Sequence, residues 1–299
     1  MTLMTERAAR PSRLGSFFRH FLADRVAALA AVVFAAMVGL ALAAPWIAPQ
    51  DPYDLSTVSI LDSLLAPGEQ SFDGMTYWLG SDGQGRDMLS AMLYGLRISL
   101  LVGLASGVIA LAVGTLVGLV AAFRRGWVDA LLMRVVDLQL SLPTILVALI
   151  LLVILGRGID KIIIALVVVQ WAYFARTVRG VALVENARDY VEAARGLRLP
   201  SLRILFRHIL PNCLPTLLVV ATIQMAQAIS LEATLSFLGI GLPPTRPSLG
   251  LLIANGFNYL QSGRWWISVL PGVVLLMLIV SVNVIGDRLR DVLNPHLRG

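Results

Sequence analysis

A single cysteine, Cys213, and a single lysine, Lys161, are all that 299 residues contain of either type, and charged side chains make up only 14%. One cysteine excludes a disulfide framework, a thiolate zinc cluster or an iron–sulfur site built from this chain alone. A phosphate-cradling P-loop needs a lysine followed by Ser or Thr, and Lys161 is followed by Ile162, so ATP held in that way must sit on another chain. His20, His208 and His296 are far apart in sequence, which argues against a metal site. Neither His-Glu-x-x-His nor Gly-x-Ser-x-Gly occurs, so an intramembrane hydrolase has little support. The charge deficit is large against the roughly 25% of a soluble domain.

Hydrophobic residues fill the gap, at 58% of the chain. A soluble protein of this length buries a core with far less, so the excess faces lipid. A bilayer core of about 30 Å needs about 20 apolar residues in a helix. Six stretches qualify: Val26–Ala44, Ile98–Phe123, Leu138–Gly156, Ile162–Ala175, Leu214–Phe237 and Trp265–Gly286. The fourth is short and reaches full length only with Asp160 and Lys161 at one interface and Arg176 snorkelling at the other. The expected fold is an all-α membrane protein with six transmembrane helices. Ala41-Leu42-Ala43-Ala44 after a basic segment imitates a signal-peptidase site, but the apolar stretch exceeds the usual 7–15 residues, so the first span is read as uncleaved.

The net charge of +6 does not point to nucleic acid, because its arginines sit in short clusters between apolar runs. Arg7, Arg10, Arg13, Arg19 and Arg25 precede the first span; Arg124, Arg125 and Arg134 follow the second. Arg176, Arg179, Arg188, Arg195, Arg198, Arg203 and Arg207 mark the long loop after the fourth, and Arg288, Arg290 and Arg298 the tail. The alternate loops are poor in arginine, and the first carries Asp51, Asp54, Asp62, Glu69, Asp73, Asp82 and Asp87. The positive-inside rule then places both termini in the cytoplasm.

Within this frame a few residues carry information. Gly103 with Gly107, and Gly114 with Gly118, allow helices to approach closely, either inside the subunit or between subunits. Glu232 is an ionisable group in or at the edge of a span, fit for a proton relay or for a hydrogen bond to a neighbouring loop. Asp137 is similar, with Arg134 one turn earlier as its expected partner. Gly80, Asp82 and Gly85 read as a tight external turn, in which Arg86 and Asp87 are expected to pair. In the arginine-rich loop, Val184–Arg195 reads as one helix, thin on the face of Ala193 and Ala194, with Gly196 able to end it. Pro200 then suits the first turn of a second, amphipathic helix in which Leu202, Leu205, Phe206 and Ile209 share a stripe, before Pro211 and Pro215 break it.

Glu192-Ala193-Ala194-Arg195-Gly196 followed by Ile209-Leu210-Pro211 resembles the coupling loop of ABC-importer permeases. Three further segments are similar to the C-type membrane subunit of the dipeptide/oligopeptide/nickel importers: Leu79–Asp87 with Tyr94–Leu100, Glu232–Gly239, and Asn283–Asp291 with Asn294-Pro295. One position departs from the family pattern, since the usual glycine six residues after the glutamate is Arg198 here. The turn is then made by Gly196 or by Leu197–Pro200.

The resemblance implies a type I importer permease that binds no cofactor and catalyses nothing itself. It implies a heterodimer with a homologous permease, two ATPase subunits that bind ATP and Mg, and an external solute-binding protein. Organisation follows as a tail (1–25), a first helix with external loop (26–96), a transport domain (97–290) whose coupling loop is 184–211, and a second tail (291–299). Peptides are the default cargo, with glutathione, nickel chelates and opines as alternatives. Two rivals stand beside this reading: an ion-coupled secondary transporter, which would need paired mid-membrane ionisable groups where only Glu232 qualifies, and a non-transporting scaffold.

Overall fold

The computed structural model describes residues 20–54, 56–71 and 74–293; the N-terminal arginines before residue 20, Asp73, Asn294, Pro295, His296 and Arg298 lie outside them. Among the described residues the chain is helical, with two isolated antiparallel bridges, Gln70 to Thr76 and Ser81 to Asp87. Five helices are long and apolar enough to cross a membrane: α1 (Arg25–Ile47), α2 (Met88–Arg124), α5 (Ile159–Glu185), the run Ser201–Phe237, and α10 (Trp266–Leu293). A sixth crossing is made only if α3 (Gly126–Ser141) and α4 (Thr144–Leu155) count together, and these meet at 91°.

That bend corrects the expectation for the third span. Pro143 has no N–H and pushes the residue before it out of the helical region; Leu142 accordingly sits at φ −87° and ψ 139°. The fourth span is also not the weak one. Helix α5 is 27 residues long and runs on through Arg176 and Arg179 to Glu185. Its apolar stretch is short because it packs against protein, with Leu166, Val169, Phe174 and Val178 buried. The arginines are answered by acids of α3: Arg179 makes a two-pronged bond to Asp129 (2.6 and 2.7 Å), and Arg176 pairs with Asp137. Asp137 therefore takes its partner from another helix, not from Arg134 one turn away.

Helix α2 crosses α5 closely enough that side chains are excluded. A Cβ on Gly114 would meet the Trp171 carbonyl and Phe174 Cβ, and one on Gly118 the Ala175 carbonyl and Val178 Cβ. Gly103 faces Ile229 instead, and Gly107 faces open space. The Gly114/Gly118 pair thus serves packing inside the subunit.

The loops predicted to share a side do gather at shared ends. At one end Arg86 reaches the Pro244 carbonyl at 3.1 Å, Trp266 the Ser81 carbonyl at 3.3 Å, and the Gly158 N–H the Gly241 carbonyl. At the other, Arg288 bonds the His20 carbonyl, and Val191, Ala194, Ile204 and Ile209 share a cluster with Phe174, Val178 and Leu217.

Candidate functional site

The glutamate of the arginine-rich loop lies on α6 (Asp189–Gly196), a helix of its own. The expected helix from Val184 is interrupted: α5 ends at Glu185, and Asn186 to Arg188 turn the chain. One face of α6 is seated, with Val191 fully buried and Ala194 5% exposed in the core cluster. Glu192, Ala193 and Arg195 face out. Arg195 bonds the Asn186 side chain, holding α6 to the end of α5. Tyr190 donates to Glu185 at 2.6 Å and receives Asn212 at 3.1 Å, so it bridges the end of α5 and the start of the long helix beyond the loop. Burial, then the Glu185 contact, pushes its phenol above the ordinary range.

The turn after α6 falls within Leu197–Pro200, the second of the two expected places, and is made without glycine. Gly196 is helical; the left-handed residue is Arg198, at φ 52°. The Leu199 N–H reaches the Ala194 carbonyl (3.2 Å) and the Arg198 N–H the Arg195 carbonyl (2.8 Å), the paired bonds of a Schellman cap. The position where the family pattern has glycine is the one whose backbone favours glycine. Pro200 follows as N-cap, one place earlier than expected, of α7 (Ser201–Ile204).

The prolines do not break what comes next. A π turn over Leu205–Ile209 carries α7 straight into α8 (Leu210–Phe237), with Pro211 in its first turn, where a missing N–H costs little. The amphipathic stripe is only half realised. Leu205 and Ile209 are buried together with Ile204, while Leu202 (70%) and Phe206 (49%) remain exposed, as does Leu197 (75%).

At the opposite end, Gly80, Asp82, Gly85, Arg86 and Asp87 are all buried. Arg86 pairs with Asp82 (2.6 Å), both 1% exposed, and not with Asp87. Asp82 also accepts from the Gln84 and Arg86 backbone N–H groups. Asp87 caps α2 by accepting from the Ser90 N–H and hydroxyl at 2.8 and 2.6 Å; burial pushes its carboxyl up, against the pull of those bonds. Gly85 is required twice over, by φ +81° and by the Ser59 carbonyl that any Cβ would strike. The motif is a knot that fixes the loop on the bundle, exposing only Gly83 and Gln84 at its tip.

Glu232 is fully buried between α8 and α2, accepting from Ser99 and Ser236 hydroxyls at 2.8 Å each. No second ionisable group joins it among the described residues, and groups of His, Cys, Asp and Glu able to hold a metal are likewise absent among them.

Sequence reasoning missed one face. Gln227, Ser230 and Thr234 recur at helical spacing on α8 and, with Thr144 of α4 and Tyr173 of α5, line an open cavity of about 400 Å³. Below it the same face continues through Ile223, Val220, Val219 and Thr216 into a second cavity of similar size. The signal was available: Gln227, Ser230 and Thr234 fall three and four residues apart on one side of the span, and polar residues at that spacing belong on a face that does not meet lipid.

Comparison with known proteins agrees with this geometry. Residues 114–299 match the family described as binding-protein-dependent transport system inner membrane component, and residues 12–67 the N-terminal TM domain of oligopeptide transport permease C. The di/tripeptide transport system permease protein DppC of Pseudomonas aeruginosa (strain UCBPP-PA14) is 38% identical, over 96% of this chain and 94% of its own length. The dipeptide transport system permease protein DppC of Escherichia coli (strain K12) is 38% identical over 95% and 94%. Among solved structures, the inward-facing MetNI methionine ABC transporter matches with a TM-score of 0.57 at 23% identity, covering 69% of this chain and 98% of that one. That likeness concerns the fold. A multi-pass chain of the inner membrane, matched over most of its length, it belongs to the inner membrane components of binding-protein-dependent transport systems: it is a permease subunit of an ABC importer, whose ATP is hydrolysed by separate subunits.

Proposed function

We propose that this subunit forms half of a translocation pathway for peptides and that α6, with the loop 184–211 around it, is the element through which ATPase subunits move it. The observation that carries the coupling role is the division of α6 into two faces. Val191 and Ala194 are locked into a cluster shared with α2, α5 and α8, while Glu192 and Ala193 are offered to solvent. A force applied to that outer face reaches the membrane helices through packed side chains. The exposed Leu197, Leu202 and Phe206 beside it supply apolar area for a docking partner.

The peptide class rests on the relatives, whose names specify dipeptide and di/tripeptide transport. It also suits the cavity on α8, where hydroxyls, an amide and a phenol can bond a peptide backbone without demanding any one side chain. In this reading residues 97–290 are the transport domain, both termini are cytoplasmic, and the tails are 1–25 and 291–299. A homologous permease supplies the other half of the pathway, two ATPase subunits bind ATP and Mg, and an external binding protein delivers the solute. Alternating access follows if the motor binds the two states with different affinity, since equal affinity would shift nothing. Glu192→Lys puts the wrong charge on the offered face and leaves the seated one intact. Uptake by that variant is expected to vanish at normal membrane insertion; wild-type uptake would refute the coupling role.

A further inference from the structure

At the end of the bundle that carries the Asp82–Arg86 knot, a cavity of about 310 Å³ brings together parts far apart in sequence. Tyr53 comes from the segment after α1, Tyr94 and Arg97 from α2, Ile159 from the start of α5, and Arg246 from the loop between α8 and α9 (Leu249–Phe257). The tyrosine rings meet edge to face at 5.0 Å and wall one side. Burial is the largest influence on the Tyr53 hydroxyl and pushes it up to about 12; Arg246 and Arg97 pull it down, while Tyr94 and the Asp51 carboxylate, outside the cavity lining, add to the rise.

Neither arginine has a carboxylate partner among the described residues, at an end of the molecule otherwise rich in acids. Arg86 is matched by Asp82 and Lys161 by Asp160; Arg157 and Arg264 at this end also lack a carboxylate partner among the described residues, but Arg97 and Arg246 are the two that line the cavity. Two unmatched guanidiniums around one cavity ask for an anion, and their planar donor forks suit a phosphate.

What lies next to the cavity selects the source of that phosphate. Arg97 is the last charge before the uncharged stretch Ile98–Phe123, about 39 Å long at 1.5 Å per residue, so it stands at headgroup depth. One, two and three turns further along the same face of α2 come Leu101, Leu104 and Val108, each about half exposed (48%, 59% and 56%). A doubly cationic socket opening onto an apolar track has the polarity of an amphiphile.

We infer that Arg97 and Arg246 hold the phosphodiester of an anionic glycerophospholipid from the leaflet at that end, with an acyl chain along Leu101, Leu104 and Val108. The site is separate from the α8 cavity and does not depend on the cargo being a peptide.

The assembled transporter, purified in detergent, is titrated with dioleoylphosphatidylglycerol or dioleoylphosphatidylcholine and bound lipid is counted by native mass spectrometry. The wild type should retain phosphatidylglycerol in preference. Retention should fall roughly fivefold in R97Q or R246Q and about 25-fold in the double variant, from the worth of one arginine near an anionic headgroup. Arg246 lies in a loop, and the wild-type comparison of the two lipids needs no variant at all, so misfolding of R97Q leaves the test intact. Equal retention of both lipids by the wild type, or unchanged retention in folded R246Q, overturns the proposal. Displacement of phosphatidylglycerol by excess inorganic phosphate, or by a dipeptide, would reassign the socket to a free anion or to cargo and overturn it equally.

Discussion

Arg198 offers a test of how the turn behind α6 is built. Its φ of 52° lies in the left-handed region, where a side chain costs about 1–2 kcal/mol and glycine pays no such penalty. Glycine loses more backbone freedom on folding, which offsets about 0.5–1 kcal/mol of that gain. Arg198→Gly is therefore expected to stabilise the cap by about 0.5–1 kcal/mol, a two- to fivefold shift of the local opening equilibrium at 1.4 kcal/mol per decade. Hydrogen exchange reads it directly, because the Leu199 amide is protected by the Ala194 carbonyl and released when the cap opens. Arg198→Ala is the control: it removes the guanidinium and keeps the Cβ, so its exchange should stay near that of the wild type. Equal slowing in both variants would place the effect in the charge and refute the backbone argument, as would faster exchange in the glycine variant.

Two further outcomes follow from the knot at the opposite end. Asp82→Ala leaves the Arg86 guanidinium, 1% exposed, without its carboxylate, a loss of about 3–5 kcal/mol, to be seen as a lower thermal midpoint of the solubilised protein. Tyr77 is buried and donates to Asp62 and the Gly85 carbonyl, and burial first, then the Asp62 charge, raises its phenol to about 12. The folded loop thus holds its proton more tightly than the unfolded chain does. Stability is present in full below pH 10 and is lost as pH rises from 10 to about 12, and Tyr77→Phe should remove that loss in an alkaline unfolding titration.

The long-period signals were legible in the sequence. Runs without charge gave the spans, alternating arginine density gave the grouping of loops, and the Glu192 segment stood out because small residues and a glutamate interrupt a basic loop. Pairings between distant segments were not legible. Arg134 is the sequence neighbour of Asp137, but three-dimensional packing offers Arg176, and Asp82 rather than Asp87 receives Arg86 because the tight turn folds its carboxylate back. The right angle at Leu142 and Pro143 was written in the proline yet hidden by the hydropathy on both sides of it. Of the two places expected for the turn, Leu197–Pro200 is the one the structure uses: a glycine such as Gly196 can be left-handed without being so, whereas Arg198 is left-handed because the Schellman bonds demand it.

The absence of a break between α7 and α8 has a mechanical consequence. Ser201 to Phe237 is one connecting rod of about 55 Å at 1.5 Å per residue, and a swing of about five degrees at one tip displaces the other by about 5 Å. Leu202 sits near the first tip and Thr234 near the second, so a tilt imposed at the loop end would be felt, enlarged, beside the cavity walled by Gln227, Ser230 and Thr234.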